Sequence, residues 1–235
     1  MLLQNLKKKI DKIKSIYKMS KSLKNISITR IRSLYKNYDI IKNHINEIKE
    51  VFLDNIKEVP NNEYKNIHIF IFSDMGFVGS FNKNIKNILY EYIEKNKDII
   101  YVLGNKSLEI IKSYDNIKFL GKLQNNSEIF KEIFIDKYVN IIVHIPYKEA
   151  MVINSLDFKK YNSENIYINN CWMYYNLEKC LLKAQIMDTR QRMDVTIRSL
   201  KNSEELWEKL QLTYNSIRQE NITNDIINRN IKDKG

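Results

Sequence analysis

The sequence predicts an α/β protein in which a long helix at each end pairs into an antiparallel coiled coil and a small parallel sheet lies between them. The chain of 235 residues has only 5 Gly and 2 Pro, and all of these except Gly235 lie between Pro60 and Pro146. Both ends therefore lack the residues that most reliably interrupt helices. Apolar residues also recur with helical spacing at both ends and alternate with strand spacing in the middle.

These patterns divide the chain into an N-terminal coiled-coil helix over 1–59, a small α/β domain over 60–175 and a C-terminal coiled-coil helix over 176–235. In the first segment, eleven of the fourteen positions stepped by 3.5 residues from Leu6 to Phe52 are apolar or aromatic. A repeat of this period is typical of a helix that supercoils about a partner helix.

The N-terminal repeat has one irregular stretch. Its three polar positions are consecutive: Ser20, Lys24 and Ser27. A second apolar stripe lies one residue out of phase with the first: Ile16, Met19, Leu23 and Ile26. We expect this stretch to leave its coiled-coil partner and to present apolar surface to another molecule. The alternative is a simple irregularity of the coil.

The C-terminal segment has a matching repeat, with an apolar or aromatic residue at every seventh position: Ile186, Met193, Leu200, Trp207 and Tyr214. This predicts a helix from about residue 176 to residue 230. Because a compact middle separates the two helices along the chain, the simplest packing is an antiparallel pair.

The middle of the chain alternates between strand and helix patterns. Strands are predicted at 67–72, 99–103, 117–120 and 140–145, and helices at 82–95, 107–114 and 127–137. Strands that alternate with helices indicate a small Rossmann-like domain with a parallel sheet.

The net charge of +11 is concentrated at one end, because residues 1–50 hold 13 Lys or Arg and only 4 Asp or Glu. A basic helix favours nucleic acid, an anionic membrane or an acidic protein surface as its partner. No window approaches 18 consecutive apolar residues, so we expect a soluble or peripheral protein. Cys171 and Cys180 have no metal-ligand spacing, which favours a reduced, intracellular setting.

The residues offer no active site. Gly76 and Gly79 stand in a G-x-x-G turn between a predicted strand and a helix, where dinucleotide sites occur, but the full G-x-G-x-x-G pattern is absent. We interpret this turn as a structural turn or a protein contact in which glycine supplies a positive φ, with a nucleotide-using domain as the alternative. The three histidines are far apart in the sequence, and no metal or cofactor site is predicted.

Three segments together resemble the γ subunit, the central rotating shaft, of the F-type rotary ATP synthase. KMSKSLKNISITRIR (18–32) follows the order of the family's K-I-T-K-A-M-x-M-V-A-A-S-K-x-R pattern, and SDMGFVGSFN (73–82) follows S-D-R-G-L-C-G-x-F/L-N. QLTYNSIRQENITNDI (211–226) matches L-x-Y-N-x-x-R-Q-x-x-I-T-x-E without a gap, with Asp225 for the usual Glu and with Arg192 and Met193 at the expected distance before it.

The resemblance implies a non-catalytic shaft inside a ring of α- and β-type subunits, with ATP and Mg²⁺ on those partners and no cofactor of its own. Carried over by position, the contacts with the catch loop of the catalytic subunit would be Arg218, Gln219 and Thr223. Those with its acidic lever would be Leu23, Arg30 and Arg32. The turn near the lever and the foot would contain Ser73, Asp74, Gly76, Gly79 and Asn82.

The departures from the family concern the foot and the tail. The chain is shorter than usual between Ile145 and Asn176, where the foot ordinarily meets an ε-type subunit and a rotor ring, and NRNIKDKG replaces the small apolar tail. Together with the Ile-, Asn- and Lys-rich composition, this suggests a divergent form from an F-like ATPase of a wall-less, mycoplasma-type bacterium.

Three functions remain open at this point. The first is the shaft of an ordinary ATP synthase, cytoplasmic and peripheral to the inner face of the cell membrane. The second is the shaft of a specialised motor that is not coupled to protons and powers, for example, gliding motility. The third is a basic coiled-coil protein that binds nucleic acid or membrane through residues 7–36, with an affinity that falls steeply with salt.

Overall fold

The computed structural model describes residues 2–52, 56–57, 65–76, 78–95, 100–123, 139–146, 150–154, 157–158 and 163–232. Two compact units are present, one formed by residues 1–28 with 193–235 and the other by residues 29–192. Two long helices dominate the chain: α1, Leu2–Phe52, has 51 residues, and α4, Ser163–Lys232, has 70 residues.

Helix α4 begins well before residue 176, where the heptad pattern placed its start. Near residue 176, one face of α4 packs against the sheet, and a heptad pattern does not capture that contact. Met173 and Leu177 are buried in the core of the sheet domain, so their spacing follows the sheet surface and not a coiled-coil seam. The division of the chain into three parts stays a prediction, since its first boundary, between residues 59 and 60, lies outside the described part.

In the unit formed by residues 29–192, α1 and α4 pack antiparallel. Leu34 is buried against Leu182 and Ile186. Further along α1, the ring of His44 stacks on that of Tyr175 at a centroid distance of 5.3 Å. The residues of α4 thus descend in number as those of α1 ascend, which confirms the predicted antiparallel coiled coil.

In the other unit, the irregular stretch of α1 keeps its partner helix, so the expected departure from the coil was wrong. Ser20 and Ser27 are buried, and the hydroxyl oxygens of Ser20 and Ser199 lie 3.2 Å apart. Small side chains allow the two helices to approach closely there. The hydroxyl of Ser27 donates to the carbonyl of Leu23 at 2.9 Å, so it is satisfied without water.

The second apolar stripe is nevertheless exposed, as expected. The exposed fractions are 47% for Ile16, 61% for Met19, 38% for Leu23 and 62% for Ile26. Because the hydroxyl-bearing seam occupies the face toward α4, the apolar residues beside it are left on the outside of the pair.

The sheet domain contains a five-stranded sheet in the order β4-β3-β2-β5-β6. Its strands are β2 (Lys65–Ile71), β3 (Ile100–Leu103), β4 (Ile117–Gly121), β5 (Val139–His144) and β6 (Met151–Asn154). Strands β2, β3, β4 and β5 run parallel to one another, which confirms the predicted α/β fold. Strand β6 pairs antiparallel with β5 and was not predicted.

The remaining elements of this domain are short. Helix α2 spans Phe81–Lys95, and a 3₁₀ turn at Asn105–Ser107 leads into α3, Leu108–Ile111. Strands β1 (Ile56–Lys57) and β7 (Asp157–Phe158) form a separate antiparallel pair. The helix predicted at 127–137 lies outside the described residues.

Both faces of the sheet are covered. Successive side chains of β2 point to opposite faces, and both sets are mostly apolar and buried. Ile67, Ile69 and Ile71 face a core completed by α4. Phe70 and Phe72 face a second core completed by α2 and α3. Parallel strands that are buried on both faces read as nearly continuous apolar runs, which is why IHIFIF was recognisable in the sequence.

The pairing of β2 with β5 brings together two of the three histidines, although the sequence spaces them far apart. Nδ1 of His68 lies 3.0 Å from Nε2 of His144, and the ring of His144 stacks on Phe70 at 4.1 Å. Burial, and secondly the neighbouring His68, lower the pKa of His144 from 6.5 to about 4. The fold therefore favours the neutral imidazole.

Acidification is expected to destabilise the sheet domain through His144. The stabilisation that depends on neutral His144 is fully present above the unfolded pKa of 6.5. It is lost as the pH falls through the folded pKa of about 4. The shift corresponds to about 3 kcal/mol of unfolding free energy. Urea unfolding of the purified chain across this range should show a shallower pH dependence for His144→Gln, whereas His44→Gln, at a side chain that is 45% exposed, should behave like wild type. Equal slopes for all three proteins would contradict the assignment.

Candidate functional site

The turn that follows β2 is held together by the side chain of Ser73, which is fully buried. Its backbone N–H donates to Oδ1 of Asn82 at 2.9 Å. Its hydroxyl donates to the carbonyl of Met75 at 2.8 Å and accepts from the N–H of Met75 at 3.2 Å. These bonds close the turn onto the start of α2 and keep its donors engaged within the protein.

Asp74 joins the ends of three adjacent strands. Its Oδ1 accepts from the backbone N–H of Asn105, after β3, and from that of Leu123, after β4, both at 3.1 Å. The carboxyl ends of parallel strands lie at one edge of a sheet, so a carboxylate after β2 can reach both neighbouring loops. The N–H groups of Asn105 and Leu123 are thus bonded within the protein, which favours the structural interpretation of the G-x-x-G turn.

The glycines of this edge have different roles. Gly79 has a φ of 55°, as the tight turn was expected to require. Gly76 has no positive φ, and an added Cβ would meet nothing within 4 Å, so the expectation was wrong for this residue. Gly104 has a φ of 93°, and a Cβ there would lie 2.1 Å from the carbonyl oxygen of Phe72. Gly104 is therefore the glycine that the close approach of two strand ends requires.

Helix α4 reaches this turn through the buried Asp188, which the sequence did not single out, and through the partly buried Arg192, which was noted only as part of the family motif. Nη2 of Arg192 donates to Oδ2 of Asp188 at 2.6 Å and to the hydroxyl of Ser73 at 3.1 Å. Burial raises the pKa of Asp188, although Ser73, Arg192 and Arg30 act in the opposite direction. Within the described residues, Oδ1 of Asp188 and Nε of Arg192 have no hydrogen-bond partner.

The spacing of polar residues on α4 is a sequence signal for its contact with the sheet edge. Gln185, Asp188 and Thr189 are polar yet buried, and with Arg192 they recur at intervals of three and four, which places them on one helix face. Gln185 donates from Nε2 to the carbonyl of Leu123 at 2.8 Å. A polar stripe that continues an apolar one indicates a buried hydrogen-bonded contact, here with the carboxyl edge of the sheet.

The residues expected to contact the catalytic subunit lie on helix surfaces. Arg218, Gln219 and Thr223 are all exposed on α4, and the hydroxyl of Thr223 donates to the carbonyl of Gln219 at 2.9 Å. On α1, Leu23 and Arg32 are exposed and Arg30 is half-buried. The structure gathers Ser73, Asp74 and Asn82 into one hydrogen-bonded turn, while the other candidates lie apart from it. All of these contacts stay predictions.

The part of the chain that the structure describes contains neither a candidate metal site nor a membrane-spanning helix. No group of three or more His, Cys, Asp or Glu side chains is arranged to hold a metal ion among those residues. Within the same ranges, no helix is long and apolar enough to cross a membrane.

Long helices that pack antiparallel, a small α/β domain and an exposed polar motif on α4 define a class of protein that combines a coiled coil with an α/β domain. A family model described as ATP synthase matches residues 2–177. The chain therefore belongs to the ATP synthase family, and it is of the gamma-chain type that its three sequence motifs resemble. The resemblance inferred from the sequence is thus confirmed.

Relatives and solved structures agree with this assignment. The chain is 24% identical over 273 residues to the ATP synthase gamma chain of Mycoplasma mobile, with 95% of each chain covered. It is 25% identical over 267 residues to that of Clostridium botulinum, covering 94% of this chain and 93% of the relative. In fold it is similar to a chain of the Euglena gracilis mitochondrial ATP synthase rotor, with a TM-score of 0.65, 12% identity and coverage of 94% and 99%.

Proposed function

We propose that this chain is the central shaft of a rotary ATPase of the F type, or of an F-like relative, and transmits rotation between a catalytic ring and a partner at its foot. The observation that carries the proposal is the continuity of α4. This single helix of 70 residues bears the exposed motif of Arg218, Gln219 and Thr223 near one end. Toward its other end, Leu177 and Leu181 are fully buried in the sheet domain, so torque applied at the motif can reach that domain through one continuous hydrogen-bonded element.

The proposed ring consists of α- and β-type subunits. Arg218, Gln219 and Thr223 would contact the catch loop of the catalytic subunit, and their exposure supports this. Leu23, Arg30 and Arg32 would contact its acidic lever, for which the excess of Lys and Arg in residues 1–50 supplies complementary charge. The turn from Ser73 to Asn82 would lie near the lever and the foot.

The shaft itself would catalyse nothing and bind no cofactor, since ATP and Mg²⁺ would be held by the ring. At the foot we propose an ε-type subunit and a rotor ring as partners, which would place the chain in the cytoplasm at the inner face of the cell membrane. With catalysis on the ring and partners at the foot, the proposed role of the chain is mechanical.

The proposal is tested by reconstituting the full complex with the double variant Arg218→Ala and Gln219→Ala. Loss of both side chains should weaken ATP-driven rotation several-fold, because it removes a charge and an amide donor from the motif while leaving the core untouched. The measurement is single-molecule rotation together with ATP turnover. Lys118→Ala, at an exposed lysine of β4, is the matched control and should rotate as wild type does.

Two results would contradict the proposal. One is normal rotation and turnover in the double variant. The other is a purified chain that associates with no ATPase and instead binds DNA or anionic vesicles with an affinity that falls steeply with salt. The latter outcome would support the alternative of a basic coiled-coil binding protein.

A further inference from the structure

We propose that Arg192 is a positioning residue that locks the turn at 73–82 to helix α4, so that force on the turn passes directly into the shaft helix. The inference rests on the proposed shaft function and adds to it a residue for which no contact with the ring is proposed. The juxtaposition that carries it is the hydrogen-bonded path from Asp188 through Arg192 and Ser73 to Met75.

The turn has a buried base and an exposed tip. At the base, Ser73 and Phe81 are fully buried and Val78 is 4% exposed. At the tip, Met75 is 49% exposed, and the space around Gly76 is open. A projection of this kind offers a contact to a neighbouring subunit only if its base cannot shift, which makes the bonds at the base decisive.

The path from α4 to the tip contains two steps. Arg192 donates to the hydroxyl of Ser73 at 3.1 Å, and that same hydroxyl bonds both the carbonyl and the N–H of Met75. The apolar core formed by Leu177 and Leu181 also joins the sheet to α4. However, burial of apolar surface is non-directional, whereas these hydrogen bonds resist sliding of the sheet edge along the helix.

The ion pair of Arg192 and Asp188 is better suited to positioning the turn than to stabilising the fold. The side chains of Arg192 and Asp188 are only 14% and 4% exposed, and each retains a buried atom without a partner among the described residues. Removing charges from water costs several kcal/mol per ion, and an apolar pair of similar volume is often equally stable or better. A buried ion pair with incomplete hydrogen bonding therefore contributes little to stability, and the geometry that it imposes is its main consequence.

The charge of Arg30, on α1, also acts on Asp188. Its charge favours the ionised form of Asp188, in the same direction as Arg192. The 2.6 Å hydrogen bond to Oδ2 of Asp188 holds the guanidinium of Arg192 within reach of the Ser73 hydroxyl. The hydrogen bonds of this cluster thus link α4 to the turn that follows β2.

The test uses the double variant Asp188→Leu and Arg192→Met in the reconstituted complex. It removes both charges together, so neither is left buried alone, and the thermal stability of the chain should stay near that of wild type. A bead attached through Lys118→Cys in a Cys171→Ser background should then rotate normally without load and fail at a several-fold lower viscous load. A purely structural role would leave loaded rotation unchanged once stability is retained.

A second variant keeps the proposal testable if the double variant does not fold. Ser73→Ala removes only the hydroxyl in the path. The loss of one hydrogen bond should speed hydrogen exchange at the Met75 amide by about five- to tenfold, and it should lower the stall load in the same direction. Arg192→Lys, which keeps the charge but not the planar fork, should give an intermediate result.

The outcomes separate this inference from the shaft function. Rapid exchange at Met75 with normal loaded rotation would overturn force transmission through Arg192, and unchanged exchange would overturn the lock itself. If instead Arg218→Ala with Gln219→Ala leaves rotation normal, the shaft function fails independently of the exchange result, and with it the mechanical part of this inference.

Discussion

The substitution Gly104→Ala is expected to destabilise the sheet domain by more than about 3 kcal/mol, through a backbone clash and an unfavourable φ together. The new Cβ would lie 2.1 Å from the carbonyl oxygen and 2.6 Å from the carbonyl carbon of Phe72, at a φ of +93°. Neither side can move, because Gly104 donates to the carbonyl of Gly121 and Phe72 donates to that of Leu103. The ends of β2, β3 and β4 would have to separate.

Gly76→Ala is the matched control for this prediction. An added Cβ at Gly76 would meet nothing within 4 Å, and its φ is not positive. Alanine should be neutral there or stabilising by about 0.4 to 1 kcal/mol, because it restricts the unfolded chain. Urea unfolding of both purified variants, followed by circular dichroism, checks the difference. Equal stabilities would show that the close approach of Gly104 to Phe72 does not exist.

The substitution Leu181→Ala is expected to cost about 2 to 5 kcal/mol. Leu181 is fully buried where α4 packs against the sheet, among Ile69, Val143 and Leu177. Truncation to alanine removes apolar surface and leaves a cavity that the surrounding strands cannot fill, since both cores share the same backbone. In the reconstituted complex, this loosening should also lower the yield of intact shaft.

Leu212→Ala on the same helix is the comparison for Leu181→Ala. Leu212 is 71% exposed, so its truncation should change the unfolding free energy by no more than about 0.5 kcal/mol. Both variants carry the same chemical change on α4, and any difference reports burial alone. A cost at Leu212 as large as that at Leu181 would contradict the placement of these two faces of the helix.

The coarse fold was accessible from local patterns. The seam that starts at Leu6 and the repeat that starts at Ile186 predicted two long helices, and IHIFIF predicted the central strand β2. Periodicity and the absence of Gly and Pro act within a few residues of each position, so they can be read directly from the chain. The three motifs that resemble the γ subunit were equally local, and the family match confirmed them.

The errors arose where a pattern had two physical solutions. Ser20 and Ser27 interrupt the apolar seam, and polar residues at such positions suggested that the helix leaves its partner. The structure keeps them in the seam, because their hydroxyls are satisfied by Ser199 and by the carbonyl of Leu23. Gly76 was expected to need a positive φ and does not, while the requirement at Gly104 depends on Phe72, which is distant in sequence.

What the sequence by itself determined about this chain is its pair of long helices, its α/β middle, its basic first 50 residues and its membership in the ATP synthase family. These depend on residue spacing and on local motifs. Only the tertiary structure decided the pairing of His68 with His144, the antiparallel strand β6 and the contact of Arg192 with Ser73 and Asp188. The contacts of His68 with His144 and of Arg192 with Ser73 join residues that are remote in sequence, and their energies depend on burial and distance, which no local pattern contains.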